Sequence, residues 1–95
     1  MFTDMVGYSA LVQKNDALAV ELLTAHREIL RAVFAKFAGQ ELDAVGDGFL
    51  VEFASAVDAT RCAVEIQQTL AARNASSPVD RRVQVRIGLH LLSFT

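Results

Sequence analysis

The sequence predicts an α+β domain over residues 1–95, an antiparallel sheet with two helices packed on one face. Three observations support this prediction. Apolar residues recur every three or four positions in two long segments, which is the spacing of helices with one buried face. Short segments of alternating apolar and polar residues surround them, as in half-buried strands. The resulting order, β-α-β-β-α-β, is that of the split βαβ or ferredoxin-like arrangement.

The first predicted element is a strand that ends near Asp4. Gly7 then allows the backbone to turn, because glycine adopts positive φ angles readily. A short helical turn follows at residues 9–12. Asn15 or Asp16 is a good N-cap for the long helix that comes next, since either side chain can accept a hydrogen bond from a free amide of the first turn.

The long helix has a clear apolar stripe. Its members are spaced by three or four residues and are Leu18, Leu22, Ala25, Ile29, Val33 and Phe37, widened by Leu30 and Phe34. The polar residues lie mostly off this stripe, and His26 is among them. Gly39 is predicted to be the C′ residue that ends the helix, a position where the left-handed conformation is common.

A hairpin follows the long helix, with strands at residues 40–45 and 49–53 and a turn at Gly46-Asp47-Gly48 between them. Glycine-rich two- and three-residue connections between apolar segments are typical of such hairpins.

The second helix is predicted from residue 56 or 57 to residue 72, and its stripe is less regular: Val57, Thr60, Val64, Ile66, Gln67 and Leu70. Cys62 is predicted to be buried on this helix as a small apolar residue. An exposed loop at residues 74–80 leads to the last strand, residues 83–89, which alternates clearly.

Composition limits the classes of partner. The net charge of −2 gives no electrostatic reason to expect nucleic acid or an anionic membrane. A single cysteine forms no internal disulfide and suits a reducing compartment. There is no apolar run of transmembrane length and no basic segment followed by an apolar one at the N-terminus, so we expect a cytoplasmic chain without a membrane span.

Two carboxylates stand out because each lies in a short apolar segment that also contains glycine. Asp4 and Asp47 are predicted at strand ends, where they could converge on one divalent cation with phosphate and water as its other ligands. The amides that open the following helix would face an anion, and they belong to Val6, Gly7, Tyr8 and Ser9. Together these features indicate a triphosphate site, although each aspartate could instead serve only as a turn residue.

The segments FTDMVGYS (residues 2–9), VGDGFLVEF (45–53) and RIGLH (86–90) resemble the catalytic domain of class III adenylate/guanylate cyclases. The resemblance implies that Asp4 and Asp47 hold two ions, Mg²⁺ or Mn²⁺, on ATP or GTP. It implies attack of the ribose 3′-hydroxyl on the α-phosphate and release of pyrophosphate, in signal transduction. It also implies a site built between two subunits, hence a homodimer or pairing with a complete cyclase chain.

Asp43 lies four residues before Asp47, where the resemblance implies a contact with the purine base. Adenylate cyclases of this family usually have lysine there, and guanylate cyclases often have glutamate. An ionised aspartate only accepts hydrogen bonds. This matches guanine, whose N1–H and amino group donate them. A solvent-facing polar residue explains Asp43 equally well, so the choice between ATP and GTP stays open.

Other polar residues are weaker candidates. His26 and His90 have no second ligand at metal spacing. The basic residues that could approach a phosphate are Lys14, Arg81, Arg82 and Arg86.

After RIGLH the family continues into a segment that supplies an asparagine and an arginine, whereas this sequence ends in LLSFT. We therefore expect a partial catalytic domain that is weakly active or inactive alone, since each missing charge stabiliser costs about two to three orders of magnitude. The alternative is a non-catalytic ferredoxin-like module that binds a nucleotide or dimerises. Exposed sheet edges would favour self-association in either case.

Overall fold

Four strands and three α-helices make up residues 1–90, the part of the chain that the computed structural model describes; the LLSFT tail lies outside it. The elements are β1 (Phe2–Met5), α1 (Tyr8–Lys14), α2 (Asp16–Lys36), β2 (Gln40–Val45), β3 (Gly48–Glu52), α3 (Ala56–Ala75), a 3₁₀ turn (Val79–Arg81) and β4 (Val85–Gly88). The predicted order of strands and long helices is confirmed. The short helical turn expected after Gly7 is a complete helix, α1.

The sheet has the strand order β2-β3-β1-β4, and every neighbouring pair is antiparallel. In this register Thr3 of β1 lies opposite Phe49 of β3, and Asp4 lies opposite Arg86 of β4. This is the predicted ferredoxin-like topology, in which β3 pairs between β1 and β2. Within residues 1–90 no helix is both long and apolar enough to cross a bilayer.

One face of the sheet packs on the helices and the other is open. Along β1 and β3 the buried residues alternate with more exposed ones, as the pleat of a strand requires. The helix side holds the apolar core, whose buried members are Met1, Met5, Leu18, Leu22, Leu30, Val33, Phe34, Phe49, Val51, Cys62, Ile66, Leu70, Val83 and Val85. On the open side Phe2 remains 57% exposed.

His26 is buried, although the sequence pattern predicts it off the apolar stripe of α2. The side chain is fully buried, and its ring lies 5.7 Å from that of Phe49. Neither ring nitrogen has a hydrogen-bond partner among the described residues. Burial lowers the pKa of His26, because the charged imidazolium is poorly solvated there. The apolar stripe of α2 is therefore wider than apolar residues alone indicated.

The ends of α2 follow the capping rules with one shift. Asn15 is the N-cap and accepts a hydrogen bond from the Leu18 amide at 3.1 Å. At the other end Ala38, not Gly39, has the left-handed conformation, with φ 54°. The Gly39 amide then donates to the Phe34 carbonyl at 2.8 Å, as in a Schellman motif. Gly39 is needed for space instead, because a Cβ there would come within 2.7 Å of the Phe53 ring.

The α3 helix differs from its prediction in length and in its buried face. It runs to Ala75, and its buried residues are Cys62, Ile66 and Leu70, spaced by four. Val57 and Val64 are more than half exposed, so the predicted stripe was wrong at those positions. The burial of Cys62 was predicted correctly, and it raises the pKa of the thiol to about 11.

Side chains of α3 hold the last strand in place. Asn74 donates to the Val83 carbonyl at 2.7 Å and accepts from the Val83 amide at 2.9 Å. Gln67 donates to the Val85 carbonyl at 2.9 Å. These bonds pair the backbone groups of Val83, just before β4, and of Val85, its first residue. They therefore support the strand that carries Arg86.

Candidate functional site

A pocket of about 260 Å³ opens where β1 leads into α1. Its lining consists of Asp4, Met5, Gly7, Tyr8, Ser9, Ala10, Asp47 and Arg86. The two aspartates that the sequence singled out therefore line the same pocket, although 42 residues separate them along the chain. The antiparallel pairing of β1 with β3 produces this proximity, because it brings the end of β1 beside the turn that precedes β3.

Asp47 lies in the two-residue turn between β2 and β3. Gly46 has φ 56° while Asp47 keeps a negative φ, the combination found in type II′ hairpin turns, where glycine is favoured first. The Oδ2 atom of Asp47 accepts a hydrogen bond from the Met5 amide at 2.7 Å. One carboxylate oxygen thus holds the turn against β1, and the other is left for the pocket.

Asp4 lies across from Arg86, whose Nε donates to Asp4 Oδ1 at 2.8 Å. This hydrogen bond, and then the charge of Asp4, raise the pKa of the Arg86 guanidinium. The Arg86 side chain is 70% exposed and that of Asp4 is 49% exposed. Ion pairs this exposed contribute little to stability. The Asp4 carboxylate and the Arg86 guanidinium can therefore separate, and each can bind a ligand, at a small cost in free energy.

Backbone amides complete the pocket. Gly7 has φ 72° and precedes α1, and the first bond of the helix runs from the Leu11 amide to the Gly7 carbonyl. The amides of Tyr8 and Ser9 precede that bond and have no acceptor within the helix. The Val6 amide differs, because it donates to the Gln84 carbonyl at 2.9 Å, and Val6 does not line the pocket.

Asp43 lies outside the pocket. It is exposed on β2, opposite Leu50, and its Oδ1 accepts from the Ala44 amide at 2.8 Å. The register places Asp43 on the open face of the sheet, the face that also carries Asp4. Two strand spacings, about 10 Å, separate β2 from β1.

The structure separates Arg86 from the other basic candidates. Arg81 pairs with Glu21 at 2.8 Å, and Arg82 donates to the Ser77 carbonyl. Lys14 and His90 are not part of the pocket lining. No pattern in the sequence favours Arg86 over these residues, because only the β1–β4 register reveals that it faces Asp4.

The donor set fits a hard cation. Two carboxylates and water suit Mg²⁺ or Mn²⁺, which take few protein ligands when phosphate supplies the others. Among residues 1–90 no group of three or more His, Cys, Asp or Glu side chains is placed to hold a metal. The pocket therefore supplies two aspartates as cation ligands, and the phosphates of a ligand would add further ones.

A larger groove of about 530 Å³ lies between α3 and β4. Its lining is Ala63, Val64, Gln67, Gln68, Ala71, Ile87 and Leu89, without any acid or base. Because the groove offers no group for phosphate or metal chemistry, we assign the site to the smaller pocket.

Residues 1–92 match the family model described as the adenylate and guanylate cyclase catalytic domain. The chain belongs to this cyclase family. Its resemblance to class III cyclases, noted from three short segments, thus extends over nearly the whole sequence.

Relatives of this cyclase-family chain are longer than it is. A protein of Rhizobium meliloti (strain 1021) named "Putative adenylate cyclase 3" is 40% identical over 89 residues, which are 93% of this chain and 15% of the relative. A receptor-type adenylate cyclase of Trypanosoma congolense is 29% identical over 70 residues, 74% of this chain and 9% of that protein.

Solved structures of the cyclase family share the fold. The crystal structure of an adenylate/guanylate cyclase/hydrolase from Silicibacter pomeroyi has a TM-score of 0.77 and 36% identity, covering 88% of this chain and 49% of that one. An adenylate cyclase of Trypanosoma brucei, in its monomeric state, has a TM-score of 0.70 and 28% identity, covering 73% of this chain and 29% of the other.

Proposed function

We propose that this chain contributes the metal-binding part of a nucleotide cyclase site that converts ATP or GTP to the 3′,5′-cyclic monophosphate and pyrophosphate. The observation that carries the proposal is the placement of Asp4 and Asp47 in one pocket with Arg86. Membership of the cyclase family supports the choice of reaction.

Asp4 and Asp47 would hold Mg²⁺ or Mn²⁺. When bound, two such ions make the ribose 3′-hydroxyl more acidic and offset the charge of the triphosphate. The Arg86 guanidinium would leave Asp4 for a phosphate oxygen, because the cation then neutralises the carboxylate and an arginine binds phosphate through several N–H groups. The amides of Gly7, Tyr8 and Ser9 would face the same phosphates, whereas the Val6 amide is already bonded to Gln84.

The reaction forms a bond between the ribose O3′ and the α-phosphorus and breaks the bond from that phosphorus to the bridging oxygen of the β-phosphate. The hydroxyl proton passes to solvent and pyrophosphate leaves. The pocket residues of this chain contribute by holding the triphosphate in line with the attacking oxygen and by offsetting its charge, the two effects that supply most of the catalysis in phosphoryl transfer.

The proposal includes a second chain, a homodimer partner or a complete cyclase. Within the described residues Arg86 is the cationic side chain of the pocket lining, and no asparagine lies there. The open face beside the pocket is partly apolar, with Phe2 57% and Val45 69% exposed. Such surfaces are typical of contact sites. Asp43, on the same open face, is the candidate contact for the base.

A binding and complementation experiment tests this function. The full chain should bind a fluorescent ATP or GTP analogue when Mn²⁺ is present, and Asp4→Asn and Asp47→Asn should each abolish the cation dependence. Mixing the chain with a complete cyclase from Rhizobium meliloti that lacks its own two metal aspartates should then restore cyclic-nucleotide formation.

The two readouts distinguish the proposed function from its alternative. Cation-dependent binding without any restored turnover would favour the non-catalytic module that binds a nucleotide. Absence of nucleotide binding with and without Mn²⁺ would reject both.

A further inference from the structure

We propose that Arg27 of α2 is a positioning residue for Asp47 and thereby sets how tightly the site binds a divalent cation. The inference rests on the proposed function, in which Asp47 is a cation ligand. Arg27 does not line the pocket. Its effect passes through the turn that carries Asp47.

The contact that carries this inference is short and specific. Arg27 Nη2 donates to the carbonyl oxygen of Gly46 at 2.6 Å. Gly46 directly precedes Asp47 and has φ 56°. The carbonyl of residue 46 and the amide of residue 47 belong to one planar peptide unit. A hydrogen bond to that carbonyl therefore restrains the orientation of this peptide unit, and with it the orientation of the Asp47 backbone and side chain.

Apart from the Val45–Gly48 strand pair that closes it, the turn has few other supports. β2 is an edge strand, and all six of its residues are exposed. Opposite Arg27, the Met5 amide binds Asp47 Oδ2. The turn is thus held between α2 and β1 by one bond to the Gly46 carbonyl and one to the Asp47 carboxylate. Because one Asp47 oxygen is already bound, the orientation of the turn decides where the second oxygen points.

Arg31 provides a matched control on the same helix. It lies one turn after Arg27, makes two hydrogen bonds to the Glu41 carboxylate at 3.0 and 2.9 Å, and lies over the Phe49 ring at 5.2 Å. Arg31 therefore holds the body of the same hairpin without touching the turn. If the hairpin as a whole is loosened, variants of either arginine should weaken cation binding. If the orientation of Asp47 is what matters, only Arg27 variants should do so.

Mn²⁺ binding by the full chain is the first measurement, with Arg27→Met, Arg27→Lys and Arg31→Met compared with the wild type. We expect Arg27→Met to weaken Mn²⁺ binding about tenfold, the lower end of the effect seen when groups that orient metal ligands are removed. Arg27→Lys should restore part of the affinity, because an ammonium can still donate to the carbonyl. Arg31→Met should leave the affinity close to that of the wild type.

Hydrogen exchange of the Met5 amide is the second measurement and needs no cation. Its acceptor is the Asp47 carboxylate, whereas the neighbouring Val6 amide donates to the Gln84 carbonyl. Arg27→Met should accelerate exchange at Met5 and leave Val6 unchanged, since only the first bond depends on the turn.

Wild-type Mn²⁺ affinity in Arg27→Met would overturn the inference, and so would an equal loss of affinity in Arg31→Met. If the wild-type chain binds no Mn²⁺, either alone or together with the ATP or GTP analogue, the proposed function fails. The ratio of Met5 to Val6 exchange then decides alone whether Arg27 positions Asp47.

Discussion

Asp47 extends the β1–β3 ladder with its side chain. The last backbone pair toward the turn is Thr3 with Phe49. Two residues further along each strand, the Met5 amide donates to Asp47 Oδ2 at 2.7 Å instead of to a carbonyl. A carboxylate acceptor makes a stronger hydrogen bond than a neutral one. The same side chain therefore serves the fold through one oxygen and faces the pocket with the other.

Substitution of Asp47 should separate these two roles. Asp47→Asn keeps an acceptor for the Met5 amide, whereas Asp47→Ala leaves that part-buried amide unpaired. We expect Asp47→Ala to lower the free energy of unfolding by about 1–3 kcal/mol, and Asp47→Asn to lower it by clearly less. Urea denaturation of both variants measures this difference. Equal stability of the two variants would show that the Met5 bond contributes nothing.

Arg86 should matter for the triphosphate more than for the cation. Arg86→Met removes the charged donor facing Asp4, so we expect binding of an ATP or GTP analogue to weaken about tenfold or more, as for other charge-assisted contacts. Mn²⁺ binding alone should be unchanged or tighter, because Asp4 loses its competing partner. Arg82→Met is the control, since Arg82 contacts the Ser77 carbonyl away from the pocket. A similar loss in both variants would indicate only a change in net charge.

Gly48 should tolerate no side chain, because a Cβ at this position would lie 2.8 Å from the Thr3 carbonyl oxygen. The clash is with backbone, so β1 and β3 would have to separate. We expect Gly48→Ala to cost about 1–3 kcal/mol of stability, as overpacked sites do. Gly88→Ala is the matched control in β4, where nothing lies within 4 Å of the added methyl group. Thermal unfolding of both variants measures the difference.

Stability should fall on the acid side of neutrality because of His26. Its pKa is lowered in the folded chain, chiefly by burial, from an ordinary value of 6.5. The unfolded chain therefore binds a proton as the pH falls below about 6.5 while the folded chain does not, so stability present above that pH is lost below it.

Replacement of His26 provides the check on this pH dependence. His26→Leu should reduce the loss of stability between pH 7.5 and 5, and because both ring nitrogens lack partners it should cost little at pH 7.5. His90→Gln is the control at an exposed position. The urea midpoints of both variants are measured across this pH range. An equal dependence of the midpoint on pH in the two variants would contradict the prediction.

Much of the fold was predictable because local rules agree with the tertiary structure. The N-cap of α2 is Asn15, one of the two adjacent residues that the sequence indicates, and the glycines around Asp47 predict the hairpin. The errors have specific causes. His26 was assigned to the polar face because its side chain is polar, although the ring packs on Phe49. Gly39 was assigned the left-handed position that Ala38 takes, because the clash of a Cβ with the Phe53 ring is invisible in sequence.

The candidate site was predictable only in part. Asp4 and Asp47 were singled out by their neighbours and by the family resemblance, and their role as cation ligands stays a prediction. Arg86 was one of four basic candidates until the strand register set it beside Asp4. Arg27 carried no signal at all, since an arginine on a polar helix face is usual and its acceptor is a backbone carbonyl 19 residues away.

By itself the sequence determined the order of elements, the region where α2 begins, the hairpin turn and the family, because these depend on residues close together along the chain or on short motifs. Only the tertiary structure decided which side chains share the pocket and which oxygen of Asp47 is free. Those facts depend on register and on contacts across the sheet, where a shift of one residue would reverse the face of every side chain.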